Sequence, residues 1–261
     1  MQTELAFPSV GRDDHKAAED AFVAALEHQM ELLTASAGRG EGEAHVVIRQ
    51  MVARALSDLI VAMHLARHGY LNQSYNAVRA AYESLDLAEL VVKDSDEARR
   101  WVNTEEGHKD FAPSAVRKRL SRPTFDEMYG HYSELAHPRF QGSRFNTFGK
   151  REEENERLQV LVTVGPTMLD KFPEFWFLIM GIAPTAARLI QATAGLIGMG
   201  GVTEMKWDAA ARATAADLKR MAETVEGGLK GFGFDDVEGF ADHFDSVGRI
   251  IDEANEQFPE G

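Results

Sequence analysis

Between Phe175 and Thr203 the chain carries one charged residue, Arg188, and this stretch limits the fold more than any other. A membrane span needs roughly 20 consecutive apolar residues. Here Pro184, Arg188, Gln191 and glycines at 181, 195, 198, 200 and 201 divide the run, and its longest uncharged helical piece before Arg188 is Phe175–Ala187. A mean hydropathy of -0.30 agrees with a buried central helix in preference to a membrane helix. Such a helix must be covered on every side by other elements. Met1–Val10 has no basic region leading into an apolar one, so no secretory leader is expected there and the expected location is cytoplasmic.

The covering elements read as helices. Apolar residues recur at steps of three and four over Asp13–Thr34 (Ala18, Phe22, Ala25, Leu26, Met30, Leu33), and Gly38–Gly42 breaks the pattern. A second helix is expected over Ala44–Arg67, ending at Gly69, and a third over Asn72–Val92. Asp94 and Glu97 form a capping pair for a polar helix reaching about Lys109. Pro113 starts a short helix through Arg119, and Thr124 with Glu127 caps another that stops near His137 because Pro138 follows. Residues 140–152 read as a loop, followed by helices over Glu153–Lys171 and Pro173–Gly198. No period-2 strand and no internal repeat stands out.

Residues 202–261 hold 14 acidic and 6 basic side chains, so they carry much of the net charge of -14. Two amphipathic helices are expected there, near Asp208–Val225 and Asp236–Phe258, joined by Gly227–Gly233. The expected fold is all-α: a bundle of long antiparallel helices over 1–201 with an acidic two-helix tail over 202–261 packed on it or completing it. The charge opposes broad binding to nucleic acid or anionic membrane. With no cysteine, disulfides, thiolate nucleophiles and Cys-based metal sites are excluded. There is no GxxxxGK[ST], HExxH or GxSxG motif either, so the sequence assigns no reaction.

Two polar patterns remain. On the third helix Tyr75, Arg79, Glu83 and Asp86 form one stripe, with Val78, Ala81, Tyr82 and Leu85 on one side and Leu87, Leu90 and Val91 on the other. A charged stripe between apolar flanks points into protein, where charges must pair, and Arg79 with Glu83 is the natural first pair. On the Thr124-capped helix, Tyr129, Ser133 and His137 follow one another four apart along one edge. His137 ends that helix, where the dipole favours an imidazolium. The candidate cluster Arg79, Glu83, Ser133 and His137 either orders the core or does acid–base or anion-holding work. Tyr75, Tyr129 and the basic residues Arg117, Lys118 and Arg119 are candidate ligand contacts.

An R-x-x-x-E helix followed some fifty residues later by Y-x-x-x-S-x-x-x-H-P resembles a group of uncharacterised bacterial helical proteins of the HEPN-like superfamily. The resemblance spans about residues 44–200 and falls on Arg79, Glu83, Tyr129, Ser133 and His137. It implies a four- to five-helix bundle that handles nucleotide or RNA, in bacterial stress or phage defence. Neither of these two motifs contains the Arg followed four to six residues later by His that marks the HEPN ribonucleases.

Three other readings compete. The basic 110–151 segment, with 8 basic against 4 acidic residues, and the acidic tail could join this chain to a partner or to its own copy, giving a homo-oligomeric interaction protein. A basic helix, turn and helix around Arg117–Arg122 superficially resemble a DNA-reading helix-turn-helix. Glu134-x-x-His137 and Glu105-x-x-His108, with Glu83, have ferritin-like dimetal spacing, although no metal ligand set and no cofactor is assigned.

Overall fold

The computed structural model describes residues 13–39, 42–103, 107–122, 129–130, 132, 147–151, 158–162, 174–234 and 239–257. Its helices are α1 Asp13–Ala35, α2 Gly42–Arg67, α3 Leu71–Lys93, α4 Asp96–Asn103, α5 Gly107–Asp110, α6 Pro113–Arg119, α7 Glu174–Gly198, α8 Glu204–Lys230 and α9 Val247–Gln257, with a 3-10 turn at Ala241–Ser246 before α9. The fold is an all-α bundle. To it is added one two-stranded antiparallel ribbon, β1 Thr147–Arg151 and β2 Leu158–Val162, with Thr147 opposite Val162 and Arg151 opposite Leu158.

The central element is α7, which packs against α1, α2, α3, α8 and α9. Phe175, Trp176, Leu178, Ile179, Ile182, Leu189, Ile190 and Leu196 on this helix are fully buried. By length and composition α7 could cross a membrane, yet 61% of its most apolar window is buried inside the bundle. Pro184 does not interrupt it. Glycine here serves close approach: a Cβ on Gly181 would lie 3.1 Å from the Tyr132 ring.

The turn between α2 and α3 uses Gly69 at φ 78°, a left-handed conformation that costs glycine nothing, and brings α3 back along α2. The tail joins the same core. Trp207, Ala211, Leu218, Met221, Val225 and Leu229 of α8 are buried, chiefly against α1 and α7, whereas Met205 is exposed. The glycine-rich link expected from Gly227 onward is the last turn of α8, which runs on to Lys230. A Cβ on Gly228 would sit 2.3 Å from the Trp176 indole, so this glycine admits the ring against the helix backbone.

Several local expectations fail. The helix expected over Glu153–Lys171 is a strand at Leu158–Val162, and the loop expected over 140–152 contains β1. Leu-Gln-Val-Leu-Val is a five-residue apolar run rich in β-branched side chains, too short for periodicity to separate strand from helix. Glu97 also does not turn back as half of a capping pair. Its carboxylate is buried and takes Arg100 at 3.0 Å together with Arg119, while the Asp94 carboxylate accepts the Asp96 amide at 3.1 Å.

Candidate functional site

The polar stripe of α3 leads to an ion cluster centred one turn beyond the expected pair. Asp86 is almost wholly buried and is surrounded by guanidinium groups from two directions. From α6 and the turn after it, Arg117 donates to Asp86 Oδ2 at 3.0 Å and Arg122 donates to Oδ1 at 2.7 Å. From the middle of α7, Arg188 donates to Oδ1 at 2.7 Å. One turn along α3, Glu89 accepts from Arg122 at 2.6 Å and Arg188 at 3.2 Å, and Lys93 approaches it at 3.1 Å. Burial pushes the Glu89 carboxyl upward, but Arg122, Arg188 and Lys93 outweigh it and hold the group below the usual carboxylate range.

Tyrosine rings wall the cluster. The Arg188 guanidinium carbon lies 4.4 Å from the Tyr82 ring centre, and that of Arg117 lies 4.9 Å from Tyr129 and 5.5 Å from Tyr82. The Tyr82 ring centre lies 6.0 Å from that of Tyr129 and 6.1 Å from that of Tyr132, and Tyr75 lies 6.4 Å from Tyr132. These faces suit cations that have lost water, which is how Arg117 is accommodated with no exposed surface. The Tyr129 hydroxyl donates to Glu83 Oε1 at 2.8 Å. Burial, then the bond to Glu83 and its charge, push that hydroxyl well above the ordinary tyrosine value, so it remains a donor at any physiological pH.

The sequence-derived residues divide clearly. Arg79 and Glu83 do approach, at 3.6 Å, but both side chains are about 30% exposed and the contact is loose. Tyr129 is brought to Glu83, and Tyr75 is buried beside Tyr132. Ser133 and His137 lie outside the described residues, as do Glu105 and Glu134 and the side chain of His108 from the dimetal reading. Among the described residues no group of three or more His, Cys, Asp or Glu is arranged to hold a metal ion.

The basic run is mostly turned inward. Arg117 enters the cluster, and Arg119 pairs with Glu97, donates to the Asp110 carbonyl at 2.6 Å and lies over Phe111 at 4.5 Å. Arg122 is bound to Asp86 and Glu89, which leaves Lys118 as the exposed member. A helix-turn-helix reading needs those arginines at a DNA groove, and the acidic side chains of α3 and α4 occupy them instead.

Glu89 and Arg188 are absent from the expected site, and Asp86 and Arg122 belong to the stripe and the basic segment without being expected in it. A signal for two of them was present: Arg188 is the lone charge in an apolar helix and Asp86 lies on a buried stripe, so each needs an opposite charge. Among the described residues, three guanidiniums face two carboxylates. One N–H-bearing nitrogen, Arg188 Nη1, is buried without a hydrogen-bond partner. The chain matches no protein-family model, and neither a curated protein nor a solved structure matches it significantly.

Proposed function

We propose that this is a cytoplasmic, HEPN-like helical protein that holds a phosphate-bearing ligand, a nucleotide or RNA, at the Arg117/Arg122/Arg188 cluster. One observation carries the reading: among the described residues the cluster has more guanidinium than carboxylate groups, and Arg188 Nη1 is buried there without a hydrogen-bond partner. An unmet buried donor costs about 1–3 kcal/mol, which a phosphate oxygen would return. Arg122 is the most exposed of the three arginines and forms the rim by which such a ligand would enter. The burial of α7 in the bundle speaks against its crossing a membrane.

The net charge of -14 repels polyanions at long range, so attraction must be local and short-ranged. Titration with inorganic phosphate, nucleoside phosphates and a short RNA at two salt concentrations tests the reading, with melting temperature and light scattering as readouts. A saturable rise in melting temperature that weakens at high salt is expected, reduced at least tenfold in apparent affinity by Arg122→Gln. No response to any of these ligands, or only a salt-sensitive dimer, overturns it.

A further inference from the structure

The opposite side of α3 carries a second feature that the arginine cluster does not use. A cavity of about 180 Å³ lies among α2, α3, α4 and α6, walled by Met51, Leu87, Trp101 and Phe111, with Glu83 and Arg54 as its charged members. At 100° per residue the cavity-lining positions of α3 (Ala80, Glu83, Ser84, Leu87) are centred roughly 140° from the cluster positions Tyr82, Asp86 and Glu89. The two sites therefore back onto each other across one helix.

The polar groups of the cavity are not evenly satisfied. Ser84 donates to the Ala80 carbonyl at 2.9 Å, which occupies its hydroxyl proton. Arg54 has a largely exposed side chain and is turned toward Asp58 at 3.8 Å. Glu83 uses Oε1 for its contacts with the Tyr129 hydroxyl and Arg79, and with its side chain 30% exposed it leaves Oε2 to water. The cavity thus offers two aromatic side chains, aliphatic surface and one carboxylate oxygen whose water a ligand N–H could replace. Tyr129 prevents the carboxylate from rotating away, because its hydroxyl stays protonated and bound.

From this we infer a binding site for a planar, amino-bearing heterocycle about the size of a nucleobase. Cavities of roughly 150 Å³ take a single aromatic ring, so this one takes one ring system and little more. Trp101 and Phe111 supply the stacking or edge contacts that planar rings prefer. An N–H of the exocyclic amino group would donate to Glu83 Oε2. An acceptor in an otherwise apolar wall discriminates strongly against analogues that lack the donor, because the acceptor is then covered and unpaired. The paired charges around the cavity, Arg54 with Asp58 and Arg79 with Glu83, leave no excess of either sign to demand an ionic ligand.

Trp101 is a native reporter, since the other two tryptophans, Trp176 and Trp207, are fully buried elsewhere in the core. Adenine is the probe and purine, which lacks the exocyclic amino group, is its control, each titrated into the full chain while tryptophan emission is followed. Adenine should change the emission saturably in the low-millimolar range or below, with purine at least tenfold weaker and Trp101→Phe removing the signal. Equal response to purine and adenine, a response that persists in Trp101→Phe, or no response at all overturns the proposal. Neither probe carries phosphate, so this outcome is independent of the arginine-cluster reading.

Discussion

Two buried polar networks meet α7 five residues apart, and they solve the same problem in opposite ways. At Thr193 the network is neutral. Gln29 of α1 donates to Thr214 of α8 at 2.8 Å, the Thr193 hydroxyl lies 3.0 Å from Gln29 Oε1, and the Trp207 indole donates to Thr193 at 3.2 Å. Every one of these side chains has a partner, and the network ties α1, α7 and α8 with no formal charge. At Arg188 the network is ionic, joins α3, α6 and α7, and ends with an unmet donor. Complete satisfaction describes a structural fastening, whereas a surplus of donors describes a place where something can still bind.

The comparison breaks most visibly at Asp86. Asp86→Ala removes the buried carboxylate that Arg117, Arg122 and Arg188 share and should cost about 3–5 kcal/mol in urea unfolding. Asp86→Leu combined with Arg117→Met removes both buried charges and should recover much of that loss. A double variant as unstable as Asp86→Ala would show that the stability comes from packing and not from charge balance.

In the neutral network the corresponding cut is Thr193→Val, which keeps the shape but removes the hydroxyl. It strands Gln29 Oε1 and the Trp207 indole N–H, for an expected loss of about 1–3 kcal/mol. Because no ion is involved, that loss should be the same at low and high salt. A loss that shrinks with salt would contradict the neutral assignment.

How far each network was legible follows from the same difference. Helical periodicity gave α1, α2, α3, α6 and α7 to within a residue or two, because an apolar stripe states which face is buried. The stripe also marked Tyr75, Arg79, Glu83 and Asp86 as one group. It did not say that Arg79 and Glu83 would lie half open while Asp86 was sealed, since that depends on α6 and α7 arriving over one end of α3. Arg117 is a candidate ligand contact by sequence and not a buried ion-pair member, because Asp86 lies on another helix, 31 residues away. Gln29, Thr193 and Thr214 gave no signal at all: small polar residues on apolar faces are read as surface or filler until three helices are assembled. Gly228 was read as a breaker because sequence does not show the Trp176 ring pressed against it.

Acid should separate the networks in a third way. Glu89 has a carboxyl held low in the folded state, so its contribution is fully present above the unfolded carboxylate value of 4.5 and is lost as pH falls through the lower folded value. Unfolding free energy should therefore decline below pH 4.5, and Glu89→Gln should flatten that decline. The Thr193→Val loss should stay constant across the same range. An unchanged acid limb in Glu89→Gln would place the acid sensitivity elsewhere.

The smallest effect belongs to His45, a buried residue of α2 on neither network. Burial, and then the charge of Arg49, lower its folded-state value below 6.5. A Cβ on Gly201 would sit 2.4 Å from its Nε2, and that nitrogen has no hydrogen-bond partner. The unfolded chain thus binds a proton near pH 6.5 while the folded chain still refuses it, so stability falls as pH drops below 6.5 and levels off under the folded value. His45→Phe removes the titration and should flatten stability over this window, above and distinct from the Glu89 limb. If the wild-type curve shows no slope between the two regions, His45 is protonated as readily folded as unfolded, and the helix start at Gly42 admits water to the ring.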